Sequence, residues 1–325
     1  MTYISTLLPR VRHRLTRGWP RASRRRVAPE PPHAAAQPAL SVTPQREVPA
    51  FPPRPDADSR RRLRLLSYNI QTGIATAKYH HYVTHSWKHV LPHPQRVENL
   101  NAIAGFLGEF DIVGLQEVDG GSLRSGFVNQ TQYLAGKANF PFWHDQTNRD
   151  LGKLAQHSIG LLSQLRPERL VEYKLPGMIP GRGVLSAHFG AGESELVVLI
   201  LHLSLGQRAR LRQLAFVSEL INGCPHAVVM GDLNCRADSR EMAWLLRNTA
   251  LSAPRPDLHT FPSWRPLHNI DHILVTPSLV VERVEPLDYV YSDHLPLAMD
   301  VVLPRGLDLD GGGFPDRDQA LAVGL

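Results

Sequence analysis

After residue 62 the chain settles into short apolar runs separated by stretches of helical periodicity. Leu63–Tyr68, Asp111–Leu115, Ser158–Ser163, Val184–Phe189, Leu196–His202, Ala227–Met230, His272–Val275, Val280–Val284 and Leu297–Leu303 are rich in leucine and β-branched residues, and each reads as a strand. Between them, Val97, Leu100, Ile103, Ala104 and Leu107 recur on one helical face, as do Leu211, Leu214, Ala215, Ser218 and Ile221. A third helix is expected from Ser239, a good N-cap, to Asn248. Many strands with few helices predict sheets stacked on each other with helices outside, in one domain of about 240 residues. The longest strongly apolar run, Leu196–Leu205, is too short to span a bilayer and carries His202, so no transmembrane helix is expected.

Residues 1–62 break the pattern. They hold 11 of the 27 prolines and 13 arginines against four acids, a net +9, which leaves −3 for residues 63–325. Such a segment buries too little apolar surface to offset the entropy of ordering it, so a disordered arm is expected. Met1–Leu8 lacks the order of a secretory signal. Arg10, Arg12, Arg14 and Arg17 beside Leu7, Leu8, Leu15 and Trp19 would suit a short basic amphipathic helix on an anionic membrane, an import-like signal, or a plain solvated arm. The expected protein is a cytoplasmic monomer without an obligate protein partner, its arm free to meet a membrane surface or nucleic acid. The mildly acidic body argues against a dedicated nucleic-acid surface without forbidding one, because net charge does not report clustering. Two cysteines, Cys224 and Cys235, exclude a disulfide framework and a cysteine-based zinc site. From Arg305 onward the Gly- and Asp-rich sequence reads as a loose tail, giving an arm (1–62), a catalytic-type domain (63–304) and a tail (305–325).

Several strand-like runs end in polar residues of catalytic type. LRLLSYNIQTG carries Asn69, DIVGLQEVD carries Gln116 and Glu117, and LVVLILHL contains His202. AVVMGDLN delivers Asp232 and Asn234, IDHILV opens with Asp271, and YSDHLPL presents Ser292, Asp293 and His294. Polar groups at strand ends above an apolar sheet are where such scaffolds build sites. Each alone has a bland reading as a turn residue or surface charge; together they supply what phosphodiester hydrolysis needs. Carboxylates such as Glu117 and Asp293 suit a hard cation, Mg²⁺ or Mn²⁺, that neutralises charge on the phosphoryl oxygens. A carboxylate such as Asp232 can take a proton from water, and a neutral donor such as Asn234 can hold a phosphoryl oxygen. A histidine such as His294, kept protonated by a nearby acid, stabilises developing charge.

The motifs N-I, Q-E, H-L, G-D-x-N, I-D-x-I and S-D-H, in this order over about Leu63 to Pro304, resemble the endonuclease/exonuclease/phosphatase superfamily. The resemblance implies an α/β (α+β) four-layer sandwich: two mixed β-sheets face to face, with helices on both outer sides. It implies Glu117 as principal metal ligand with Asn69 and Asp293 beside it, and Asp232 activating water. It further implies Asn234 on the phosphate, His294 as catalytic histidine held by Asp271, and His202 as a second phosphate-facing histidine. QHSIGLLS (156–163), GRGVL (181–185) and TFPSWRPLHNID (260–271) are similar to a bacterial metal-dependent hydrolase subgroup, which adds His157, Arg182 and Trp264 as substrate-facing candidates. The residues after G-D-x-N, Cys235-Arg236-Ala237-Asp238, depart from the apurinic endonucleases, and Val229-Met230 and Asn269-Ile270-Asp271-His272 depart from the inositol phosphatases. The reading is therefore a Mg²⁺- or Mn²⁺-dependent phosphodiesterase acting on a lipid headgroup or nucleic acid. An inactive binding module on the same scaffold, and a nucleic-acid binder working through the arm, are the alternatives. His80, His81, His85, His89 and His93 fit no standard zinc module and read as a polar insertion or a solvated segment.

Overall fold

The computed structural model describes residues 61–73, 94–177, 181–252, 255, 257–307 and 309. Residues 1–60 of the arm, the histidine-rich segment 80–93 and nearly all of the tail lie outside the described residues; Arg61 pairs with Leu303 and Arg62 opens the first strand, so the folded domain begins two residues before the boundary expected from the sequence. The described residues form eleven strands: β1 (Arg62–Asn69), β2 (Ile112–Asp119), β3 (Phe142–Asp150), β4 (Gln156–Ser163), β5 (Arg169–Lys174), β6 (Gly183–Phe189), β7 (Leu196–His202), β8 (His226–Asp232), β9 (Asp271–Val275), β10 (Val280–Pro286) and β11 (Leu297–Val302). Four α-helices accompany them: α1 (Pro94–Leu107), α2 (Gln130–Lys137), α3 (Gln207–Ile221) and α4 (Arg240–Asn248). One sheet runs in the order β10-β11-β1-β2-β4-β3 and the other β5-β6-β7-β8-β9. Both are mixed, with β1 parallel to β2 and β7 parallel to β8.

Apolar alternation sorts the strands' side chains into three buried layers. Leu63, Leu65, Ile112 and Leu161 of the first sheet meet Leu185, Val198, Ile200 and Met230 of the second. On the outer face of the first sheet, Leu66, Tyr68, Val113 and Leu115 pack against Leu100, Ile103 and Leu107 of α1 and Leu134 of α2. On the outer face of the second, Val197, Leu199, Leu201 and Val229 pack against Leu214 and Val217 of α3 and Met242 and Leu245 of α4. Central strands covered on both faces read as continuous apolar runs, which is why they stand out in the sequence. Three layers of core between four layers of backbone make the α/β sandwich.

The elements the periodicity does not signal are β3, β5 and α2. Strands β3 and β5 close the outer edges of their sheets. In β3, FWHDQTNRD, only Gln146 is buried, so half-solvated positions leave no apolar run to read. Helix α2 has eight residues, too few for a strong period, and starts from Asn129, whose side chain accepts from Gln132 N.

Topology gathers the polar strand ends. Parallel strands β1 and β2, and β7 and β8, finish at a common edge of their sheets, whereas antiparallel β4, β6, β9 and β11 begin there. Asp271 at the start of β9 lies in register with Asp232 at the end of β8, and Asp119 with His157. Gly231 makes the last turn of β8 possible. Its φ is +149°, and a Cβ there would lie 1.9 Å from the Leu201 carbonyl oxygen of the neighbouring strand. Among the described residues no helix is long and apolar enough to cross a membrane.

The central layer carries the stability. Ile200 is fully buried in it, so Ile200→Ala should cost about 2–5 kcal/mol. Val280, 60% exposed on the edge strand β10, should tolerate Val280→Ala within about 0.5 kcal/mol. Urea midpoints of the two variants measure the contrast; equal midpoints would contradict the layer assignment.

Candidate active site

The end of β2 departs from regular strand geometry where the chemistry begins. Leu115 pairs with Gly160 and Val118 with Ser158, so one extra residue is accommodated in β2, and Glu117 sits at φ +55°. A non-glycine residue in the left-handed region costs of order ~1–3 kcal/mol and persists only when its surroundings hold it. Here Thr72 Oγ1 donates to Glu117 O at 3.1 Å, Gln130 Nε2 donates to Thr72 O at 2.9 Å, and Asp119 N donates to Gln130 Oε1 at 2.9 Å. The bulge leaves the Glu117 side chain half-exposed in a cleft while the residues on either side stay buried.

Asp119 anchors the turn that follows. Its carboxylate accepts from the amides of Gly121 and Ser122, from the hydroxyls of Ser122 and Ser125, and from the Arg124 guanidinium. Burial alone would raise its pKa, but the Arg124 bond and the Ser122 and Gly121 donors together hold it at about 2. The sequence carried a signal for this role, an acid followed by two glycines and a serine, the composition of a turn whose side chain accepts from the backbone.

Asp232 occupies the middle of the site, 2% exposed. Asn69 Nδ2 donates to its Oδ2 at 3.1 Å, and His202 Nε2 lies 3.3 Å from the same oxygen. Asn234 N donates to Oδ1 at 2.9 Å. Burial and the neighbouring Asp271 raise the Asp232 pKa, opposed by His294. Burial likewise raises Asp293 to about 6, with His294 pulling down and Glu117 pushing up. Gln71 Nε2 donates to Asp293 Oδ2 at 3.1 Å, and the Ser292 hydroxyl donates to Asn69 O at 2.7 Å, tying the β11 approach to the end of β1.

His294 and Asp271 form a buried pair, Nδ1 to Oδ2 at 2.8 Å, and Thr260 Oγ1 donates to the same carboxylate oxygen at 2.6 Å. Phe261 packs its ring 4.9 Å from the imidazole centroid. Burial opposes the imidazolium, but Asp271, Asp232 and Asp293 outweigh it and lift His294 to about 10. His202 is pushed the other way, well below its usual value, by burial and by Arg182, His294 and His157, so its ring is neutral. The site thus holds one charged and one neutral histidine.

Of the positions expected from the sequence, Asn69, Glu117, His202, Asp232, Asn234, Asp271, Asp293 and His294 come together at this edge. His157 and Arg182 line the adjoining cleft with Glu117 and His202. Trp264 does not line that cleft; it is half-buried on the 261–268 turn, and the aromatic of this segment that reaches His294 is Phe261. Asn234 Nδ2 donates to Leu203 O at 2.9 Å, leaving its second amide hydrogen for a ligand. Gln71, Thr72 and Thr260 are additions that only the fold discloses, since each acts through a partner distant in sequence, whereas Asp119 and Arg124 are additions that pair locally with each other.

A divalent cation fits the oxygen donors here. Glu117 adds to the cost of ionising the buried Asp293, and Asn69 Oδ1, which accepts from Gln71 N, keeps a second lone pair. Asp232, Asp271 and His294 also bring ligand-type atoms within 4.8 Å of one another. Within that group the Nδ1 bond from His294 and the Thr260 hydroxyl both fall on Asp271 Oδ2, which makes a charge-paired dyad beside Asp232.

The sequence model described as the Endonuclease/Exonuclease/phosphatase family matches residues 66–294, from β1 to the histidine of the dyad. The chain belongs to this family. It is accordingly a hydrolase of phosphoester bonds by family. No functionally curated protein matches the chain. Among solved structures it is similar to a family member from Beutenbergia cavernae (22% identity, 75% of this chain and 72% of that one, TM-score 0.59). It is also similar to a mannosyl-6-phosphatase from Bacteroides thetaiotaomicron (20%, 74% and 100%, 0.56) and to the human Nocturnin catalytic domain (18%, 74% and 93%, 0.51). At these identities the likeness concerns the fold.

The dyad has a measurable signature. A folded pKa of about 10 against the free value of 6.5 means its stabilisation is complete below pH 6.5 and is lost as pH rises through 10. Nitrogen NMR of the metal-free protein at pH 8 should find His294 protonated, and Asp271→Asn should return it to the neutral form. A neutral His294 in the unaltered protein at pH 8 would refute the pairing.

Proposed function

We propose that this family member hydrolyses a phosphodiester, drawn from a lipid headgroup or a nucleic acid, with Mg²⁺ or Mn²⁺. The observation that carries the reading is the convergence of Glu117, Asp232 and Asp293 with a charged His294–Asp271 pair at one sheet edge. The cation would be held by Glu117 and Asp293 with Asn69, and it supplies neutralisation of the phosphoryl oxygens. Asp232, its pKa raised by burial, is a better base near neutrality than a solvated carboxylate, and it orients and deprotonates the attacking water. Asn69 and His202 keep that carboxylate pointed into the site. His294, fixed and charged by Asp271, binds a phosphoryl oxygen as negative charge builds, and Asn234 offers a neutral donor to another. The cleft of about 910 Å³ next to Glu117 leaves room for an organic substituent of the scissile phosphoryl group.

Purified protein should hydrolyse bis-p-nitrophenyl phosphate only with Mg²⁺ or Mn²⁺ present. Asp232→Asn and His294→Ala should each lower kcat by about 10² or more, as for a base and a charge-stabilising group. Glu117→Gln should instead raise the metal concentration at half-maximal rate. Full activity in excess chelator, or wild-type rates in all three variants, would overturn the mechanism. Mannose 6-phosphate belongs in the same panel, given the mannosyl-6-phosphatase among the structural neighbours.

A further inference from the structure

The cleft that opens beside Glu117 is lined by four guanidinium groups and a single carboxylate. Arg149 comes from the end of β3, Arg182 from the residue before β6, and Arg208 and Arg212 from the first turns of α3. Among the described residues, no carboxylate forms a hydrogen bond or ion pair with any of the four. Arg210, between them in sequence, behaves differently: it bonds Glu241 through Nε and Nη2 and belongs to the scaffold.

The arrangement is unfavourable as it stands. Arg208 and Arg212 are spaced i, i+4, so their like charges face each other on one side of the helix. Arg208 also sits in the first turn, at the positive end of the α3 dipole, where cations are disfavoured and anions bind. The α3 N-cap is Gly206, with no side chain accepting from the first turn. On the opposite wall, the backbone is shaped to bring Arg182 and Arg149 together. A Cβ on Gly181 would press to 3.0 Å from Arg149 Cβ, and a Cβ on Gly183 would lie 1.9 Å from Asn148 Oδ1. Two close approaches on either side of Arg182 fix where that side chain enters the cleft. Arg182 stands near enough to Glu117 and Asp232 to feel both, which places it at the inner end, whereas Arg149, Arg208 and Arg212 are exposed.

We propose that this cleft is a subsite for a second anionic group of the substrate, a phosphate or similar oxyanion on the same molecule as the scissile phosphoester. Arg149, Arg208 and Arg212 grip it, and Arg182 faces the reacting phosphoryl group. The subsite gives the hydrolase a preference for polyanionic substrates; that preference rests on the hydrolase reading, whereas anion binding in the cleft does not. Two sources supply such chemistry, a phosphorylated nucleotide and a lipid headgroup with two phosphates.

The test uses the full chain, in which the arginines of residues 1–62 are common to every variant. Calorimetric titration with inorganic tripolyphosphate, without added metal, compares wild type with Arg208→Gln/Arg212→Gln and with Arg149→Gln. All three positions are exposed, so the fold is not at risk. The double variant should lose one binding site or weaken it at least tenfold; unchanged binding would overturn the subsite. With Mn²⁺ present, kcat/KM is then compared for thymidylyl-thymidine with and without a 5′-terminal phosphate, and for cardiolipin against phosphatidylglycerol in mixed micelles. A tenfold preference for the more highly charged member of either pair, reduced to within twofold in the double variant, supports the subsite and identifies the source. Equal kcat/KM in both pairs overturns it. If no phosphoester is turned over, the hydrolase reading fails, and the titration alone decides the subsite.

Discussion

Burying negative charge without a counter-ion is costly, and the edge where the two sheets present their polar strand ends does so repeatedly. Asp232, Asp271 and Asp293 are each almost fully buried, and Glu117 adds a fourth carboxylate. The imidazolium of His294 is hydrogen-bonded to Asp271 and offsets that charge directly. Asp232 and Asp293 are held by neutral donors: Asn69 and the Asn234 amide for Asp232, Gln71 for Asp293. Neutral donors position a carboxylate without satisfying its charge, so the edge keeps an unfilled demand for a cation. The surrounding strand register, the Ser292 tie to β1 and the Thr260 bond to Asp271 all serve to keep that demand concentrated in one place.

How far the sequence disclosed this depends on where each residue sits. Central strands such as β7 and β8 are covered on both faces and announce themselves as apolar runs, and the polar residues that end them were visible for the same reason. Edge strands β3 and β5 have one flank in water and carried no such pattern. Asp232 and His294 could be picked out because a short motif frames each. Gln71, Thr72 and Thr260 could not, because their roles arise from contacts with Asp293, Glu117 and Asp271 that no local pattern encodes. In the 260–271 segment the sequence drew attention to Trp264, the largest side chain. The structure instead uses the small hydroxyl of Thr260 and the ring of Phe261, which are next to the dyad.

Charge gives a similar lesson about scale. Residues 63–325 are net acidic, yet one cleft in that body is lined by four arginines and a single acid. A total over the domain averages the acidic strand edge with the basic cleft beside it and reports neither. What a phosphorylated ligand would meet is the local field, positive along the cleft wall and negative at the carboxylate end.

The bulge in β2 also sets how this strand can change. In an unbroken strand, residues three apart face opposite sides, yet Leu115 and Val118 both belong to the outer layer beneath α1 and α2. The additional residue works as a phase shifter, resetting the alternation so that Glu117 can leave the repeat while the packing resumes beyond it. An unbranched substitution at Glu117 leaves the register unchanged, whereas loss of one residue from this stretch would turn Val118 and Asp119 onto the wrong faces. The strand is tolerant of changes in letter here and intolerant of changes in length.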